Sequence, residues 1–338
     1  MKTTKNFSYF LEKFFQKYLV GELGTSSHTI RSYRDTFLLL MEFAKDKYKL
    51  SPEKIKLETL SKTFILDFLD WLEDTKGNAI STRNVRLAAL RSFFRFLSYE
   101  DIEHLDLWNS NLGIKCKKCR KETVKHLTKE GISAILDEVP TSTKVGRRHL
   151  VLLSLLYETG ARVQEVITLA PKAVRLSKPF SISLLGKGNK TRIVPLTEHM
   201  AELLRNYYLD NHIIGTEEYK LFQNHSGIQL TSQGVTHILQ KYAKLAHEKH
   251  SDDVPLGITP HVLRHSRAMH LLQAGVNLVY IRDFLGHASV QTTEIYARAD
   301  LKAKREAIEK VSLTLTGNEN LASWERNPDL KAYLKGLA

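Results

Sequence analysis

The sequence predicts a mainly α fold with one small β-hairpin, divided into a helical N-terminal domain and a mixed α+β domain behind it. Apolar residues recur at three- and four-residue spacing through the first hundred positions. A lysine-dense stretch without that spacing, Lys115 to Lys125, then breaks the pattern. Beyond it, two short strand-like runs flank Gly186-Lys187-Gly188-Asn189 among further helical segments. At 338 residues and 42% hydrophobic content, the chain can build two domains, each with its own core.

The elements follow in order. Phe7, Phe10, Leu11, Phe14, Phe15, Tyr18 and Leu19 keep helical spacing until Gly21 and Gly24 end it. Ser26 or Ser27 caps a second helix through Ile30, Tyr33, Phe37, Leu40, Met41 and Ala44. A third holds Phe64, Ile65, Phe68, Leu69, Trp71 and Leu72, and a fourth starts near Ser81. That fourth helix interleaves aromatics with Arg83, Arg86, Arg91 and Arg95, so one face can pack while the other meets phosphates. Past the linker, Thr128 caps a helix with Ile132, Ile135 and Leu136, and a strongly apolar helix from Leu150 to Tyr157 stops at Gly160. Ser181 to Leu185 and Thr191 to Leu196 form the hairpin, followed by helices over 200–208, 235–247 and 260–299. The expected divisions are 1–110, a basic linker 111–126, 127–317 and a tail 318–338.

Lysine and arginine total 50 against 37 acidic residues, a net charge of +13. A polyanion is the natural partner for such a surface, since binding releases counterions from phosphates. No run is apolar enough to span a bilayer, and the opening segment does not read as a signal peptide, so a cytoplasmic protein is expected. Cys116 and Cys119 in Lys-Cys-Lys-Lys-Cys-Arg cannot complete a zinc site alone and read as reduced bystander thiols.

Four short motifs carry chemistry. In Gly160-Ala-Arg162-Val-Gln-Glu165, the glycine ends one helix and Arg162 enters the first turn of the next, where a guanidinium can hold an anion; the plain alternative is a surface pair with Glu165 or Glu158. Lys187 sits at the hairpin tip with Lys190 as a rival. The tip is not a phosphate loop, because Ser181 stands where that motif needs glycine. Pro260 opens a helix with His261 and Arg264 on one face and Arg267 further along; His265 and His270 turn elsewhere and read as structural. Gly286-His287 ends the next helix, and Tyr296 follows nine residues later. Tyr280, the competing phenol, reads as packed on an amphipathic helix. Two guanidiniums would stabilise a pentacoordinate phosphorus more than its ground state, and a phenol needs cations and a proton acceptor nearby to attack one.

The order His-x-x-Arg, Gly-His, Tyr resembles the tyrosine recombinase (integrase) family, in its two-domain form. The resemblance covers about 127–300 in detail and 1–110 as a helical pattern. It implies a helical core-binding domain, with Arg83, Arg86, Arg91 and Arg95 as candidate DNA contacts, followed by a mixed α+β tyrosine recombinase catalytic domain. It also implies six catalytic residues: Arg162, Lys187, His261, Arg264, His287 and Tyr296. Tyr296 would form a 3′-phosphotyrosine while Lys187 protonates the departing 5′ oxygen, and no metal or other cofactor is called for. The implied partners are double-stranded DNA carrying inverted-repeat half-sites and further copies in a DNA-bound homotetramer, with an accessory directionality factor left open and no membrane. The tail, with Leu321, Trp324, Leu330, Leu334 and Leu337, would dock on a neighbouring subunit. No arm-binding domain is expected.

A mobile element, transposon or integrative, is the expected setting, with chromosome-dimer resolution as the alternative. A monomeric type IB topoisomerase shares the chemistry but not the compact helical first domain and the tail. A non-catalytic regulator would have lost Tyr296 or an arginine. A metal nuclease would need clustered carboxylates, and Asp283, Glu294 and Asp300 are scattered.

Overall fold

The computed structural model describes residues 6–119, 125–186, 188–215 and 219–299. It divides into two compact units, Met1–Glu122 and Thr123–Ala338.

The first unit is helical. α1 (Phe7–Lys13) runs on into a wider π-helical stretch, Phe14–Glu22. α2 (Ser27–Tyr48) and α3 (Lys62–Asp74) begin where Ser26 and Ser61 accept hydrogen bonds from the N–H groups of Thr29 and Phe64, satisfying donors that a helix start leaves open. α4 (Ile80–Glu100) lies on α2 and α3, and α5 (Leu105–Leu112) on α4. The core is largely aromatic. Phe14 meets Phe93 edge-on at 5.1 Å and Phe37 at 6.1 Å, and Phe94 stacks on the buried Trp108.

The expected linker does not begin at 111. α5 is a fifth helix, and the chain after it is bound to α4 as a strap. Ile114 is buried and its carbonyl accepts from Arg91. The Asn84 side chain donates to Lys117 O at 2.8 Å and accepts from Lys117 N at 3.1 Å. Lys117 Nζ meets Glu73 at 2.6 Å and Asp70 at 3.5 Å.

In the second unit, Thr128 caps α6 (Lys129–Asp137) and Thr143 caps α7 (Lys144–Thr159). α7 is the central helix, packed by α9 (Glu198–Asp210) and α11 (Pro260–Gln273). The five-residue α8 (Val163–Ile167) leads to an antiparallel sheet in the order β1 (Val174–Arg175), β2 (Ser181–Leu185), β3 (Thr191–Pro195). The hairpin pairs Ser181 with Pro195 and Leu185 with Thr191. β1 adds an edge strand that its two residues were too short to announce. α10 (Ser232–Lys249) covers α6 and α8. The helical stretch expected over 260–299 is three helices: α11, α12 (Leu278–Leu285) and α13 (Glu294–Ala299). Among the described residues no helix is long and apolar enough to cross a membrane.

Candidate active site

The site lies where two helix ends meet. α7 and α12 both stop on a glycine in the left-handed region, Gly160 at φ 56° and Gly286 at φ 66°. A Cβ on Gly160 would come within 2.8 Å of Leu285 Cδ2, so the close approach needs the missing side chain. Helix ends leave carbonyls unpaired and carry partial negative charge. Arg264, 1% exposed on α11, answers both: Nη1 donates to Gly160 O at 2.6 Å and Nη2 to Leu285 O at 2.8 Å. Burial, with Arg162 nearby, lowers its pKa to about 10, which leaves it cationic at neutral pH.

Arg162 precedes α8 as its N-cap, one position earlier than the first-turn place expected, and its partner is the Glu165 that the sequence offered as the plain alternative. Its backbone N–H donates to Glu165 Oε2 at 2.9 Å and Nη1 to Oε1 at 3.0 Å, while Nη2 reaches Gly286 O at 3.4 Å. Glu165 is 4% exposed and also receives both prongs of Arg192 from β3, at 3.0 and 2.8 Å. Burial alone would raise its pKa, but the hydrogen bonds from Arg192 and Arg162 hold it below the usual carboxylate range. Arg192 Nε donates to Phe284 O at 2.9 Å, tying the hairpin to α12. Two guanidiniums thus share one carboxylate while the third, Arg264, meets only carbonyls, and the excess positive charge suits an anion.

Around them stand imidazoles and a phenol. Tyr296, on α13, is 1% exposed, and its hydroxyl lies 2.8 Å from His265 Nδ1. His287 stacks on the Tyr296 ring at 6.4 Å, and its Nδ1 lies 2.8 Å from Thr293 Oγ1. His261 is exposed and meets His265 edge-on at 4.4 Å. Burial, then neighbouring cations and imidazoles, brings His265 and His287 down to about 4. His265 and His287 are therefore neutral at neutral pH. Burial raises the Tyr296 pKa while Arg264 and Arg162 pull against it, so the phenol keeps its proton until something takes it.

Of the six expected residues, Arg162, Arg264, His287 and Tyr296 come together, with His261 at the rim. Lys187 lies outside the described residues, as does the tail. The turn beside Lys187 places Gly188 at φ 75° and Asn189 at φ 59°, and Lys190 is exposed. Arg267 leaves the site and lies over the Tyr157 and Phe284 rings. His270 is bonded to Tyr157 Oη at 2.8 Å, away from the phenol. His265, expected to turn to another face, touches the phenol instead. Tyr280, expected to be packed, is 71% exposed, because α12 packs through Ile281 and Leu285 instead.

The arginines of α4 do not form one open array. Arg83 is 2% exposed and ion-paired with Glu73. Arg86 donates to Ser32 O at 2.9 Å, Arg91 holds the strap, and Arg95 is exposed. At roughly 100° per residue the four spread over about half the helix circumference, so packing claims some of them. Cys116 and Cys119 are free and exposed.

Residues 125–302 match the phage integrase family and residues 12–101 its N-terminal SAM-like domain. The y4rC protein of Sinorhizobium fredii, assigned as an integrase/recombinase, is 35% identical over 302 residues, covering 89% of this chain and 90% of its own. Tyrosine recombinase XerD of Oceanobacillus iheyensis is 34% identical, with 85% and 93% covered. Solved recombinase structures share the fold, two of them as follows. XerH bound to its difH substrate after cleavage has a TM-score of 0.67 at 24% identity, over 85% of this chain and 80% of that one. The Tn1549 transposon integrase with transposon right-end DNA has 0.67 at 18%, over 89% and 99%. With its helical SAM-like domain, its mixed catalytic domain and this identity along nearly its whole length, the chain belongs to the tyrosine recombinase family of site-specific DNA recombinases.

Proposed function

We propose that the protein cuts and rejoins double-stranded DNA through a 3′-phosphotyrosine on Tyr296, and that it serves a mobile element. The observation that carries the chemistry is the placement of the Tyr296 hydroxyl among cations. It is buried within electrostatic reach of Arg264 and Arg162, beside His287, in a site with more guanidiniums than carboxylates. Arg162 and Arg264 bind the non-bridging oxygens and gain strength as charge builds on phosphorus. His287 hydrogen-bonds the same phosphate, His261 contributes from the rim, and Lys187 protonates the 5′ oxygen. The substrate is DNA with two inverted half-sites, held by four copies that the 318–338 tails link in a ring. Arg95 is the α4 arginine with most freedom to meet a phosphate.

A half-site duplex nicked beside the cleavage point tests this. Wild type should become trapped on it as a covalent adduct, and Tyr296→Phe should trap none. An adduct that persists in the variant and maps to Tyr280 would refute the assignment.

The y4rC relative supports the mobile-element setting, and the XerD relative supports chromosome-dimer resolution as a second reading. Short inverted repeats bounding the DNA around the gene, recombined by the purified protein, would decide for the first. Recombination only at a chromosomal site away from the gene would decide for the second.

A further inference from the structure

We propose that His265 takes the proton from Tyr296 as the phenol attacks; the proposal rests on Tyr296 being the nucleophile. His265 lies outside the six-residue pattern. Yet among the imidazoles around the phenol, its Nδ1 is the atom recorded on the Tyr296 oxygen, at 2.8 Å. His287 offers the phenol a ring face, and its own Nδ1 is engaged with Thr293. His261, the imidazole that the motif order singles out, touches His265 and not the phenol.

The surroundings keep His265 in the form that can accept. Burial comes first, then His261 and Arg264 on α11 and His126 before α6, which together bring its pKa to about 4. A neutral imidazole within hydrogen-bond distance of the nucleophile is the arrangement general-base catalysis requires.

The step balances as follows. The Tyr296 Oη–H bond breaks and its proton passes to His265 Nδ1. The Oη lone pair forms the bond to phosphorus. The bond from phosphorus to the 5′ oxygen breaks, and that oxygen takes a proton from the acid on the leaving-group side. The new imidazolium faces Arg264 and cannot rest there cheaply. His261, one turn back along α11, in ring contact with His265 and open to solvent, gives the proton an exit. On rejoining, the proton returns by the same route to the departing phenol.

The test uses the full chain on the nicked half-site duplex, with binding to an intact half-site measured in parallel. His265→Ala and His265→Asn should both slow adduct formation by about 10²- to 10³-fold while half-site binding holds. Asn keeps a hydrogen-bonding atom near the Nδ1 position without its basicity, so a residue that merely held the phenol would be spared by that change. Added imidazole, or a fluorinated tyrosine of lower pKa at position 296, should restore His265→Ala by tenfold or more. Wild-type rates in His265→Asn, or a slow His265→Ala that neither measure restores, would overturn the proposal. If His265→Ala does not fold, the Asn variant with the fluorinated tyrosine carries the same test. An adduct formed by Tyr296→Phe would instead remove the nucleophile assignment itself, whatever His265 does.

Discussion

One buried carboxylate sets the geometry of two guanidiniums: Glu165 fixes Arg162 toward the site and Arg192 toward α12. Glu165→Gln would leave Arg192, with its side chain 12% exposed, as an uncompensated cation. Breaking a buried pair from one side costs about 3–5 kcal/mol. Because the folded pKa is depressed, this stability is present above the unfolded value of about 4.3 and is lost as pH falls through the folded one. Denaturant midpoints of wild type and variant should therefore differ most near neutrality and converge in acid. A gap that stays constant toward pH 3 would contradict this.

The site was partly legible at this scale. Arg162, Arg264, His287 and Tyr296 could be named because their motifs are short and ordered along the chain. Arg192 could not, since its role depends on where a strand meets α12, which no local pattern encodes. His265 carries a signal in the helix period itself. Four residues from His261 is about 40° around the helix and three is about 60°, so His265 shares the His261 face at least as well as Arg264 does.

At the scale of elements, helix starts and stops read well because their chemistry is local. Ser26, Thr128 and Gly160 cap helices as their types suggest. The π-helical stretch, α5 and β1 did not, since each is fixed by what it packs against. Gly286 belongs to both element and site. Its φ of 66° disfavours any side chain, and a Cβ there would stand 2.9 Å from Arg192 Nη1 and 3.0 Å from its Cδ. Gly286→Ala should cost about 1–2 kcal/mol in backbone strain. It should also push Arg192 off Glu165, so adduct formation should fall by tenfold or more while half-site binding changes little. Thermal melts and trapping on the nicked duplex measure the two effects, and full cleavage activity in this variant would show that the fork is dispensable.

Across the whole molecule, three histidines, His149, His265 and His287, are held neutral with pKa values near 4, burial being the leading cause for each. Unfolded, each would titrate near 6.5. Between those values the unfolded chain binds more protons, so stability should fall as pH drops from about 6.5 toward 4, before most carboxylates respond. His149, 7% exposed and 2.9 Å from Tyr242 Oη, lies apart from the proposed chemistry. Its full effect is of the order of 3 kcal/mol. His149→Gln should flatten the melting-temperature curve over that interval, and an unchanged slope would assign the acid sensitivity elsewhere.

The strap on α4 also sets a length. Asn84 fixes the chain at Lys117, and Leu127 is fixed again where its N–H donates to Ser266 Oγ at 2.8 Å. Whatever course the ten intervening steps take, they reach no further than about 35 Å. Freed from Asn84 and Arg91, the same leash would start at the end of α5, fifteen steps from Leu127, and reach about 50 Å. Arg91, which looked from the sequence like a DNA contact, therefore measures out rope: its hold on the Ile114 carbonyl shortens the free chain that follows α5.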